Sequence, residues 1–250
     1  MFALLVVALA AFSAGFINAL AGGGSFLTLP ALIAAGASPI AANASSTLAL
    51  FPGQVATAYV ARDGLAEAAR DPRIDARSLG VISLVGGFVG GVLLLVTPAN
   101  VFAALVPWLI LFATVLFAGG SMVRPDSRLF RINRAGIFVA QAMVSVYGGY
   151  FGGGIGILML AALTLYGLRD IWLMNSLKIF LATLMNASAV AALAFTNLIH
   201  WRLTIVAAVA AVAGGYVGVH AARRLPTKIV RGFVVVMGVI LTVYFFVKAP

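Results

Sequence analysis

The sequence predicts an all-α polytopic membrane protein made of two inverted repeats, each a glycine-broken or re-entrant helix segment plus three transmembrane helices. Three observations predict it. Hydrophobic residues make up 63% of 250 and charged residues only 9%. A glycine triplet at Gly22, Gly23 and Gly24, in AGGGSFLTLPAL, returns at Gly152, Gly153 and Gly154, in FGGGIGILMLAAL. The basic residues fall into three groups that place equivalent turns of the two halves on opposite sides of a bilayer.

No charged side chain lies between Met1 and Ala61 or between Ser78 and Val123. A membrane-spanning helix needs about 20 mostly apolar residues, so these runs have room for three spans and two. In lipid every backbone amide must be bonded internally, and the runs lack the alternation of barrel strands, which leaves helices.

The repeat extends beyond the triplets. Asn43 pairs with Asn175, the GGFVGG at Gly86 with the GGYVGV at Gly214, and Pro98 with Pro226. One unit of roughly 125 residues, duplicated, accounts for this. The expected division is a first membrane repeat over 1–123, a basic cytoplasmic linker over 124–134 and a second repeat over 135–250.

Arg62, Arg70, Arg73 and Arg77 form the first basic group; Arg124, Arg128, Arg131 and Arg134 the second; Arg223, Arg224, Lys228 and Arg231 the third. Positive loops face the cytoplasm. The turn Thr97-Pro98-Ala99-Asn100, between spans at 78–97 and 100–121, is then external. Its counterpart, between spans at 207–222 and 229–247, carries the third group and is internal. The stretch from Arg62 to Arg77, with alternating charges, reads as a solvated connector. Met1 to Ala21 resembles a secretory signal but lacks a basic start, and its counterpart is internal, so it reads as a retained helix.

With no cysteine the chain has no thiol chemistry. The net charge of +10 is topological and does not imply nucleic acid. No cofactor, metal or catalytic residue is expected. The partners are a small anionic substrate and the lipid bilayer, and the glycine motifs allow close packing within one chain or between two copies.

Three consecutive glycines cannot hold a helix together, and they leave amides free to face a ligand. The first N–H groups of the helix that follows carry partial positive charge and favour an anion. The next helix in each half bears a polar stripe: Asn43, Ser46 and Gln54 in the first, Asn175, Lys178 and Asn186 in the second, with the same spacing. Lys178 is the sharpest signal, because a cation inside an apolar span is costly without water or a partner. All six acidic residues lie in loops or at helix ends. A small anion would supply the missing charge. The structural alternatives are that Lys178 snorkels to an interface or binds freed carbonyls, and that the amides are interhelical glue.

These segments, GGGSFLTLPALIAAGASPIAANASSTLALFPG and YGGYFGGGIGILMLAALTLYGLRDIWLMNSLKIFLATLMNA, resemble the TauE/SafE sulfite exporter family of the transmembrane sulfur-anion transporter superfamily. GGYVGVHAARRLPTKIVRGFVVVMGVIL, near the C-terminus, fits it as well. The resemblance implies a carrier in the inner (cytoplasmic) membrane that exports sulfite, sulfonates such as sulfoacetate, or related anions. Its repeated elements fall on Gly22 to Gly24, Asn43, Ser45, Ser46 and Thr47, and on Gly152 to Gly154, Asn175 and Lys178. With Ser25, Gln54 and Asn186 these form the expected substrate site. Ser46 opposite Lys178 makes it chemically lopsided.

The expected mechanism is alternating access, with the two halves rocking about the site and driven by membrane potential or a proton gradient. Rival readings are an anion channel, a scaffold for other membrane proteins, and an intramembrane serine hydrolase with Ser25 as nucleophile and His200 or His220 as base.

Overall fold

The computed structural model describes residues 1–20, 23–71, 74–119, 132–168, 170–221 and 227–248. Among these residues the regular structure is all helix, joined by short turns and loops, without a strand. Gly22, Arg73, most of the 124–134 linker, and Arg223 and Arg224 lie outside the described residues.

Helix α1 (Phe2–Leu20) ends at the first glycine triplet, and α2 (Ser25–Ala34) follows it. Next come α3 (Pro39–Val60), α4 (Arg62–Arg70), α5 (Ala76–Val96) and α6 (Ala99–Gly119). In the second half α7 (Arg134–Tyr150) ends at the second triplet, and α8 (Ile155–Tyr166), α9 (Ile171–Leu193), α10 (Trp201–Ala221) and α11 (Thr227–Lys248) follow. Five helices are long and apolar enough to cross a membrane by length and composition: α1, α5, α6, α9 and α10. At 1.5 Å per residue, α2 and α8 reach only about half of a 30 Å hydrocarbon layer, the geometry expected of broken or re-entrant segments.

Two differences from the sequence reading have clear causes. The stretch after Arg62 is a helix, not simply a solvated connector. Its small and apolar positions Gly64, Leu65 and Ala68 form a stripe, and α4 lays that stripe on α9, where Gly64 faces Ser176 and Trp172. Arg62, Asp63, Glu67 and Arg70 stay exposed. Helix α10 also begins six residues earlier than the apolar run suggests, because Arg202 in its first turn points outward and tolerates the helix start.

The packing exchanges helices between the halves. Helix α1 packs most extensively on α10, and α5 on α7 and α9. Helices α1, α2, α3 and α10 form one bundle and α5, α7, α8 and α9 another, with α6 and α11 paired beside them. These principal pairings are unchanged when equivalent helices of the two halves are swapped. The two bundles meet where α3 crosses α9.

Glycine makes the exchanged pairs possible. A Cβ on Gly214 would overlap the carbonyl of Phe12, and one on Gly15 that of Ala211. Gly149 and Gly90 meet α5 and α7 backbone in the same way. Phe12 lies at Gly214 and Phe16 at Gly218, so α1 and α10 run parallel. The GGFVGG and GGYVGV motifs are therefore spent within the chain, at backbone-to-backbone contact.

At the base of the second bundle Asp75 caps α5, accepting from the Ser78 N–H at 3.0 Å and the Ser78 hydroxyl at 2.7 Å, and pairs with Arg134 at the start of α7. The backbone N–H of Ser78, then its hydroxyl, then Arg134, push the carboxyl down to about 2. Its unfolded value is near 3.9. The unfolded chain thus binds more protons in the interval, and the contribution is full above about pH 4 and lost as pH falls through about 2. Thermal melts of wild type and Asp75→Asn should differ at pH 7, with the variant lower, and converge by pH 2.

Candidate functional site

A cavity of about 120 Å³ lies where the two helix breaks face α3, α9 and α10. Both halves line it: Asn18, Gly23, Ser25, Ser46, Thr47, Gln54 and Thr57 from the first, and Gly152, Gly154, Gly156, Lys178, Thr183 and Asn186 from the second. Leu50, Phe151, Ile155 and Ile179 make up much of the apolar wall.

The breaks are built by left-handed glycines. Gly152 has φ +81°, Gly154 φ +76° and Gly23 φ +91°, a region other residues enter only with strain. After Gly154 the chain turns straight into α8, and the Gly154 carbonyl accepts from Ile157 N at 3.1 Å and Leu158 N at 3.3 Å. The N–H groups of Ile155 and Gly156 precede the helix's own bonding pattern, and no side chain caps this start. The α2 start also lacks a side-chain cap, but the N–H of Gly24 just before it donates to Asn18 Oδ1 at 2.8 Å.

Lys178 stands over the uncapped start. Its Nζ donates to Asn175 Oδ1, one turn earlier, at 2.7 Å, and its Cδ lies 3.5 Å from where a Cβ on Gly156 would sit. The cation and the positive end of α8 therefore lie side by side, a combination that favours an anion. Ser46, at the equivalent position of α3, is buried and shares a short hydroxyl contact with Thr28 of α2. Where α3 crosses α9, Asn186 Nδ2 donates to Gln54 Oε1 at 2.7 Å. These two residues are each other's equivalents, so the bond lies where the two halves exchange.

The model of the family described as sulfite exporter TauE/SafE matches residues 7–245. The chain belongs to this family. It is a multi-pass membrane protein of a transporter family. This TauE/SafE member is 28% identical over 241 residues to "Probable membrane transporter protein ORF9" of Sinorhizobium sp, covering 94% of this chain and 88% of that protein. It is 27% identical over 232 residues to "Probable membrane transporter protein YfcA" of Escherichia coli strain K12, covering 92% and 84%. A "Probable membrane transporter protein" of Haemophilus influenzae is 26% identical over 238 residues, covering 92% and 89%. No solved structure matches.

Of the residues singled out in this TauE/SafE sequence, Gly23, Ser25, Ser46, Thr47, Gln54, Gly152, Gly154, Lys178 and Asn186 line the cavity. Asn175 touches it through Lys178. Gly24, Asn43, Ser45 and Gly153 sit behind the lining. Asn43 Nδ2 donates to the Tyr150 carbonyl at 2.9 Å, satisfying a group freed at the end of α7. Ser45 Oγ accepts from His200 N at 3.1 Å, and Gly153 packs against the Phe151 ring and Ala113. His200 and His220 are exposed, and neither lines the cavity with Ser25; His220 is bonded to the Tyr216 carbonyl.

Three lining residues with polar side chains escaped the sequence reading. Thr57 lies three residues after Gln54 and Thr183 three before Asn186, on the same helical stripes. Asn18 is a polar residue inside the apolar α1, six residues before Gly24. Each carried a signal in its spacing or its setting.

Proposed function

We propose that this protein exports small sulfur oxyanions, sulfite or a short sulfonate such as sulfoacetate, from the cytoplasm across the inner membrane by alternating access. One observation carries the reading: Lys178 and the uncapped start of α8 converge on a cavity shared by both halves. Among the described residues that line it, Lys178 is the one ionisable side chain. Family membership supports the sulfur anion.

The packing supports inverted repeats. Helix α5 leaves the first basic group and α10 enters the third, so with positive loops inside they cross in opposite directions. Helix α1 runs parallel to α10, and Gly86 and Gly90 meet Ser145 and Gly149 in the same order, which makes α5 parallel to α7. Equivalent helices thus point opposite ways. In this reading the moving bodies are the two exchanged bundles, and they rock about the α3–α9 crossing.

No carboxylate lines the cavity among the described residues. Outward movement of one negative charge is favoured by about 2.3 kcal/mol per 100 mV of inside-negative potential, so export can run as uniport. The test is electrogenic flux through purified protein in liposomes, offering sulfite, sulfate, thiosulfate, sulfoacetate and lactate. Saturable, potential-driven flux confined to the sulfur anions is expected. Non-saturating flux would instead identify a channel, and obligatory proton exchange at zero potential would overturn uniport.

A further inference from the structure

We propose that Asn18 is a further recognition residue, which presents its side-chain NH2 to the anion and keeps the first-half wall of the cavity free of negative charge. The proposal rests on the transport reading above. It begins with the hydrogen bond from Gly24 N to Asn18 Oδ1 at 2.8 Å. A backbone N–H can be accepted only by the amide oxygen, so this bond fixes which way the Asn18 amide faces. Nδ2 is left as the free end, and no described residue accepts from it. Asn18 lines the same cavity as Lys178.

The position has no twin in the second half. Its equivalent is Gly148, which has no side chain to offer, and a Cβ there would meet the Met185 thioether and force it to shift. Neither helix start has a side-chain cap; Lys178 stands over that of α8, whereas beside α2 it is Asn18 that meets the chain, taking the N–H of Gly24 just before the helix. A cation with open helix amides on one wall and a neutral donor on the other offers an oxyanion hydrogen bonds from two directions with a single charge.

A side chain that only held the Gly24 N–H would be replaceable by any good acceptor. Asp accepts the Gly24 N–H as well as Asn does and suits the positive end of the helix that follows, yet it would turn a lone pair and a negative charge toward the substrate in place of two donors. Asn18→Asp therefore separates the two roles.

The experiment measures sulfite flux against concentration in proteoliposomes, and thermal melts of the same preparations, for wild type, Asn18→Asp and Asn18→Ala. We expect Asn18→Asp to melt at or above the wild-type temperature while its KM for sulfite rises about tenfold or more. Asn18→Ala should melt lower and also show a raised KM, and it decides the matter if the Asp variant fails to fold. Wild-type flux with KM unchanged in the folded variants overturns the role of Asn18 and leaves the transporter standing. Absence of sulfite flux in wild type sinks the transport reading, and this inference with it.

Discussion

Lys178→Met should reduce sulfite flux at low concentration by about 10- to 150-fold in proteoliposomes, with the melting temperature held or raised. Methionine keeps most of the stem that lies over Gly156 and removes only the charge. A hydrogen bond to a charged group contributes roughly 1.5–3 kcal/mol, and a factor of ten corresponds to about 1.4 kcal/mol, which sets the range. Removing a cation from within a membrane relieves its desolvation, hence the expected stability. Asn175 loses its donor from Lys178, a smaller effect. Unchanged flux with a lowered melting temperature would reassign Lys178 to structure.

The second large effect is on folding. Gly214→Leu should yield no monodisperse protein on size exclusion, and Gly214→Ala should fold with a markedly lower melting temperature. Even a methyl group there would overlap the Phe12 carbonyl, and a backbone atom cannot turn aside as a flexible side chain can. Overpacking typically costs about 1–3 kcal/mol, and contact with backbone lies at or beyond the upper end. The control is Gly232→Ala in α11, where no atom lies within 4 Å of the added Cβ and the better helix former should be neutral or stabilising. If both alanine variants melt alike, the close approach of α1 and α10 is not what holds the first bundle together.

The helix breaks and the polar stripes were legible because lipid makes their signals rare: glycine triplets and amides inside apolar runs have few other uses. What the stripe could not show is the job of each member. Asn43 and Gln54 look alike in sequence, yet Asn43 is occupied by a carbonyl that the second break sets free, while Gln54 lines the cavity and meets its own equivalent, Asn186. Only the third dimension separates a satisfied backbone from a binding wall. Helix exchange was hidden for a related reason. Gly86, Gly90, Gly214 and Gly218 announce that something comes close, but spacing along one helix says nothing about which helix arrives. Helix α4 was obscured by its charges, which outnumber the small residues that dock it on α9.

The exchange also sets a timetable for biosynthesis. Helix α1 enters the membrane long before α10, yet the glycine-lined surface that receives it belongs to α10, which does not begin until Trp201. A ribosome delivering this chain must therefore emit most of it before the first bundle can close. Until then α1, α2 and α3 wait in lipid with backbone contacts unmade, and the second bundle, whose α5 is already in place, is complete as soon as α9 arrives. The bundle that is begun first closes after the one begun later.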